Sequence, residues 1–107
     1  MQAVLTKVSL MERTIGTELN NLFSELEGAD NMTKSSIENK IVNYGESAIN
    51  FLIDKLTGSK GVQRGVAAMS LIRIGETSVQ ALKDLANSNK NYTWVANYII
   101  QEIEGTF

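Results

Sequence analysis

Residues 41–52 of this 107-residue chain read IVNYGESAINFL, and thirty positions later residues 71–82 read LIRIGETSVQAL. Gly45 matches Gly75, Glu46 matches Glu76, Ile49 matches Val79 and Leu52 matches Leu82. The offset persists outside this block, since Lys60 matches Lys90 and Gly75 falls on Gly105. Self-similarity at a fixed period in this range is the mark of a solenoid, in which each unit buries its apolar face against the next. The chain can hold only a few such units, so the repeat constrains nearly everything else.

The units are helical. Proline, which ends helices and populates turn-rich β folds, is absent. No stretch alternates apolar and polar residues with β-branched enrichment. In the first segment Val4, Val8, Met11, Ile15, Leu19, Leu22 and Leu26 share one helical face, with Phe23 beside them. Positions 4, 15 and 26 recur every eleven residues, a period of about 3.67 residues per turn that keeps a stripe nearly straight. This predicts a long N-terminal helix over residues 1–27, packed on its own domain, with a self-pairing dimer helix as the alternative. Glu12, Glu18 and Glu25 offset Lys7 and Arg13 on its polar side, which disfavours docking on a membrane surface.

Gly28-Ala-Asp-Asn31 stops that helix. Ser35-Ser-Ile-Glu38 fits a capping box for the next, which carries Ile37, Ile41 and Val42 inward and ends at Gly45. Ile49, Phe51, Leu52, Ile53 and Leu56 form a helix broken by Gly58-Ser-Lys-Gly61. Val62, Val66, Ala67, Met69, Leu71 and Ile74 form its partner, ending at Gly75. Thr77-Ser-Val-Gln80 is a second capping-box candidate, opening a helix whose inward face is Val79, Leu82, Leu85 and Ala86. After the turn at residues 87–91, the last helix carries Tyr92, Val95, Ala96, Ile99, Ile100 and Ile103. Gly45, Gly75 and Gly105 stand just past helix ends, where a residue with positive φ completes the cap. Gly65, an interior helical glycine, calls for a compensation such as close helix approach.

Residues 62–76, VQRGVAAMSLIRIGE, resemble the HEAT-like repeat family, including its phycobilisome-lyase type. The residues that carry the resemblance are Val62, Arg64, Ala67, Ala68, Leu71, Ile74 and Gly75, with the Gly-acidic pairs Gly45-Glu46 and Gly75-Glu76 opening the first-helix pattern twice. The likeness covers roughly residues 35–105 and implies a short right-handed α-α solenoid of about two helical hairpins. Residues 1–107 then form one all-α domain, with a repeat region over 33–107. The chain departs from the family in having no first-helix prolines, carrying Ser47, Asn50, Thr77 and Gln80 instead. Trp94 stands where the pattern puts arginine and Tyr98 where it puts a small residue, as in a terminal cap or a specialised surface.

Cysteine and histidine are both absent, which excludes disulfides, thiolate zinc sites, thiol chemistry and imidazole catalysis. A net charge of −2 with scattered basic residues argues against nucleic-acid binding, which needs a basic stripe. No apolar run suits a signal sequence or a membrane span, so a cytoplasmic location is expected. Asp54 and Asp84 occupy equivalent repeat positions but form no metal-loop pattern, so neither a metal nor a cofactor is expected. Gly58-Ser-Lys-Gly61 lacks the strand and spacing of a phosphate loop.

The remaining candidates point to protein binding. Arg64 either bonds within its repeat or reaches a partner, and Arg73 with Lys60 would make a basic spot. Trp94 and Tyr98, four residues apart, share a helix face opposite the stripe of Val95, Ile99 and Ile103. With Tyr92 they form either a binding surface, aromatic residues being enriched in hot spots, or cap packing against the N-terminal helix. The expected function is a non-catalytic adaptor, inhibitor or immunity-type protein binding another protein through Arg64, Arg73, Tyr92, Trp94 and Tyr98. A self-assembling homodimer is the first alternative, and a subunit of a lyase-type or other enzyme complex the second.

Overall fold

A computed structural model describes the backbone of residues 2–105 and the side chains of residues 13–105. The described residues are helical throughout, with no strand: α1 (Gln2–Ser24), α2 (Asn31–Asn43), α3 (Ile49–Gly58), α4 (Gly61–Ile74), α5 (Val79–Ser88) and α6 (Thr93–Glu104). Short 3-10 turns at Gly45–Ala48, Glu76–Ser78 and Lys90–Tyr92 lead into α3, α5 and α6. The all-α expectation holds. At 1.5 Å per residue α1 is about 35 Å long, more than twice the length of α3 or α5. Of its apolar stripe, Val4, Val8 and Met11 lie outside the residues whose side chains are described. Leu19 and Phe23 are buried and Ile15 and Leu22 partly so, while Leu26 is buried in the turn that follows the helix.

The helix starts differ from the sequence expectation at two places. Asp30, not Ser35, caps α2: its backbone is extended and its Oδ1 accepts the Thr33 amide at 2.8 Å. That bond and the charge it favours hold the Asp30 carboxyl below its usual pKa. Ser35 and Glu38 therefore lie inside the helix. Thr77 caps nothing either. A 3-10 turn carries the chain into α5, and the buried hydroxyl of Ser78 donates to the Leu71 carbonyl at 3.1 Å. α1 ends at Ser24, three residues short of the expected 27, while the ends at Gly45 and Gly75 agree with expectation. Gly75 stops α4 at φ 87, ψ −141, a backbone conformation that a β-carbon opposes, and Gly45 follows α2 at φ 57.

Short turns join α3 to α4 and α5 to α6 as helical hairpins. The closest packing is α3 on α4 and α5 on α6, after which α4 lies between α2 and α6 while α3 lies beside α5. α1 reaches the rest mainly through α2 and the Gly45–Ala48 turn. Near its C-terminal end, Phe23 meets Phe51 edge-to-face at 5.3 Å between ring centres. The Lys55 ammonium sits 5.7 Å from the Phe23 ring and 5.4 Å from the Phe51 ring, and Gln63 donates to the Phe23 carbonyl.

Burial follows the repeat. Ile41 and Leu71, Ala48 and Ser78, Ile49 and Val79, and Leu52 and Leu82 are buried at both members of each pair, thirty residues apart. In the second helices the register tightens by one residue. Val66, Ala67, Ser70 and Leu71 of α4 correspond to Val95, Ala96, Ile99 and Ile100 of α6, twenty-nine residues on. One residue is thus lost between the turn after α3 and the turn after α5. The shortened register makes Gly65 the counterpart of Trp94 and Met69 the counterpart of Tyr98.

Candidate protein-docking face

The inward face of α6 is filled by Val95, Ala96, Ile99 and Ile100, all buried, with Tyr92 and Ile103 partly buried against the same core. At 100° per residue, Trp94 and Tyr98 must then project from the opposite side. Trp94 is 69% exposed and Tyr98 51% exposed. Neither covers the end of the helix stack, so the expected cap packing of this pair is not seen. The Glu102 carboxylate, one turn further along, hydrogen-bonds the Tyr98 phenol and holds its pKa above the ordinary value.

The face continues onto the neighbouring helix. Met69 of α4 is 49% exposed. Gly65 is exposed one turn before it, and a β-carbon built there would meet nothing within 4 Å. Close helix packing therefore does not explain this glycine, contrary to the sequence expectation. Three of the four large apolar side chains exposed among the described residues, Met69, Trp94 and Tyr98, belong to two helices that lie side by side. Large apolar groups gathered in this way mark interaction surfaces more often than scattered ones do.

The other candidates separate. Tyr92 is partly buried, and its hydroxyl donates to the Thr57 carbonyl at 2.7 Å, tying the α5–α6 turn to the end of α3. Its phenol serves the fold. Arg73 donates through Nη1 to Glu38 Oε2 at 2.7 Å, so its charge is matched across the α2–α4 contact. Lys60 precedes the first turn of α4 and Arg73 lies in its last turn, about 20 Å along the helix, so they form no common basic spot. Arg64 is half-buried in the first turn of α4, near the Gly65 end of the face.

Two open grooves flank α1. One, of about 480 Å³, is lined by Glu18, Asn21, Leu22, Lys40, Asn43 and Tyr44. There the Tyr44 hydroxyl donates to the Glu18 carboxylate, and that bond raises the phenol pKa. The second, of about 510 Å³, lies between Ile15, Gly16 and Leu19 of α1 and the start of α3. Asp54 and Asp84 are exposed, Asp84 accepting a hydrogen bond from Gln80 at 3.0 Å. No cluster of three or more carboxylates able to hold a metal occurs among the described residues. What this surface offers is exposed apolar and aromatic area on α4 and α6. Comparison of the chain with protein-family models, with curated proteins and with solved structures finds no match.

Proposed function

We propose that this chain is a non-catalytic protein-binding module of the adaptor, inhibitor or immunity type. In this reading its helical hairpins form a short right-handed array of the HEAT-like class and the Trp94–Tyr98 side of α6 meets the partner. The observation that carries it is the exposure of Trp94, Tyr98 and Met69 on adjacent helices whose core positions are already filled. Tryptophan and tyrosine supply large contact area at low entropic cost, which is why they dominate binding hot spots. The thirty-residue repeat, and hairpins that pack on their neighbours in order, support the array. No helix among the described residues is long and apolar enough to cross a membrane, and a cytoplasmic location goes with this reading.

The test is capture from host lysate with the wild type beside a Trp94→Ala/Tyr98→Ala double variant. Both substituted side chains are exposed, so the variant should keep the wild-type helical circular dichroism spectrum and melting temperature. A protein retained by the wild type and lost by the folded variant is the expected result. Equal capture by both would remove this face as the binding surface.

A further inference from the structure

Thirty residues before the α3–α4 hairpin, the C-terminal half of α1 and α2 carry the same pattern. Leu19, Leu22 and Leu26 match Ile49, Leu52 and Leu56, Gly28 matches Gly58, and Ile37 and Ile41 match Ala67 and Leu71. Burial agrees at Leu19, Leu26, Ile37 and Ile41 and at each of their counterparts. Ile15 stands at the place of Gly45 and Gly75, so α1 runs on through the point where the later hairpins turn. The described residues then hold three helical pairs, the first of them half hidden inside a longer helix.

Contacts between the pairs mark which positions face a neighbour. Towards the pair before it, α3–α4 presents Phe51 and Lys55, which meet the Phe23 ring, and Gln63, which donates to the Phe23 carbonyl. Arg73 faces the same way, paired with Glu38. In the first pair these four places are held by Asn21, Glu25, Thr33 and Asn43, all exposed. Asn21 and Asn43 line the groove of about 480 Å³ together with exposed Glu18 and Lys40. The counterparts of Glu18 are Ala48 and Ser78, and that of Lys40 is Ser70, all buried. Leu22, in the same groove, is only partly buried, whereas Leu52 and Leu82 are wholly so. The groove is therefore the place that a preceding pair occupies elsewhere in the chain. At the other end, Phe23 and Thr57 face the pair that follows each, the Thr57 carbonyl accepting the Tyr92 hydroxyl. In the last pair Phe23 and Ile53 give way to Lys83, and Thr57 to Asn87, both exposed. On the second helices half-buried Val42 and Ile72 give way to exposed Gln101, in the twenty-nine-residue register.

We propose that the array is closed at both ends, so that neither a further helical unit nor a second copy stacks on it, and that partners reach it only along its sides. The inference rests on the array reading above. Glu18, Glu25 and Lys40 at one end and Lys83 at the other stand where stacking would bury them, and burying a charge without a partner is costly. Glu18 is held at the surface by the bond it accepts from the Tyr44 hydroxyl. Polar outer faces on the terminal units are what keep a stack of repeats from growing. The sides carry no such guard, and there Trp94 and Tyr98 stand exposed.

Sedimentation equilibrium of the full chain from about 1 μM to about 1 mM tests the closure, a range that covers weak to moderate association. One variant takes interior residues at the first end, Glu18→Ala/Asn21→Ala/Lys40→Ile, and a second takes them at the last, Lys83→Ile/Gln101→Ile. An equimolar mixture of the two should gain mass over either alone, and a chain carrying both sets should form assemblies that keep growing past two chains. The wild type should show no such open-ended growth, and finding it there overturns the proposal. Variants that keep the wild-type circular dichroism spectrum yet show no association, mixed or combined, also overturn it. Leu22→Ala supplies a measurement that needs no association: it should lower the melting temperature by less than half as much as Leu52→Ala. An equal loss would mean that the first end is covered and would overturn its closure by polar residues. Unequal losses at Leu52 and Leu82 would instead strike the array reading, and the lysate capture bears on the binding face alone.

Discussion

Leu52 of α3 and Leu82 of α5 hold equivalent places in successive hairpins, and both are wholly buried. Gly65 of α4 and Trp94 of α6 are also equivalent, yet they share neither size nor chemistry. Met69 and Tyr98, the next pair along, differ almost as much. The inside of a stacked unit must fill the same space each time, so it accepts only residues of similar shape. The outside has no such obligation. In a protein that needed only to stay soluble, the outer positions would drift towards charged and small polar residues. In the α5–α6 hairpin the drift runs the other way, from glycine and methionine to tryptophan and tyrosine. That opposition is the reason the proposed function places its binding face on the outer side of α6.

The comparison breaks first in the core. Leu52→Ala and Leu82→Ala should each cost about 2–5 kcal/mol of stability, by loss of apolar transfer and the cavity left behind. Urea unfolding should give the two variants losses alike to within about 1 kcal/mol, given the spread normal for such sites. A Leu82→Ala loss far below that of Leu52→Ala would mean the hairpins are not equivalent packing units. A smaller effect of opposite sign is expected at Ser70, the buried α4 residue whose counterpart in α6 is Ile99. Its hydroxyl is fully buried and has no hydrogen-bond partner among the described residues. Ser70→Ala should therefore stabilise the fold by about 1 kcal/mol, seen as a higher melting temperature. The same substitution at Ser78, whose hydroxyl is bonded to the Leu71 carbonyl, should destabilise it. The smallest effect belongs to the outer pair. Trp94→Ala should change stability by less than about 0.5 kcal/mol, as exposed positions do. A larger loss in thermal unfolding would return Trp94 to a structural role.

Much of this was legible in the sequence because helical periodicity and the repeat speak for the same elements. The turns at Gly58–Gly61 and after Gly45 and Gly75 could be read from glycine alone. The outward aim of Trp94 and Tyr98 followed from a stripe already filled by Val95, Ile99 and Ile103. What escaped had a physical cause in each case. Ser35 and Glu38 have the spacing of a capping box, but Asp30 caps the chain five residues earlier and leaves them inside α2. Thr77 is displaced by a 3-10 turn, a device that leaves little trace in composition. The outward position of Met69 and the freedom of Gly65 depend on which side of α4 its neighbours occupy. A single helix cannot reveal that. The one-residue slip between α4 and α6 was hidden because Lys60 with Lys90 and Gly75 with Gly105 keep the thirty-residue spacing on either side of it.

Every helix finds its principal partners among the next one or two helices along the chain. Seen in time, this means that most contacts close loops of only a few tens of residues, for which the entropic cost grows slowly with length. Such local wiring is the kind associated with folding in microseconds to milliseconds, far faster than sheets of distant strands achieve. It also lets the order of assembly follow the order of synthesis. The α3–α4 hairpin can form while α5 is still being made, and each new pair of helices finds its template already in place.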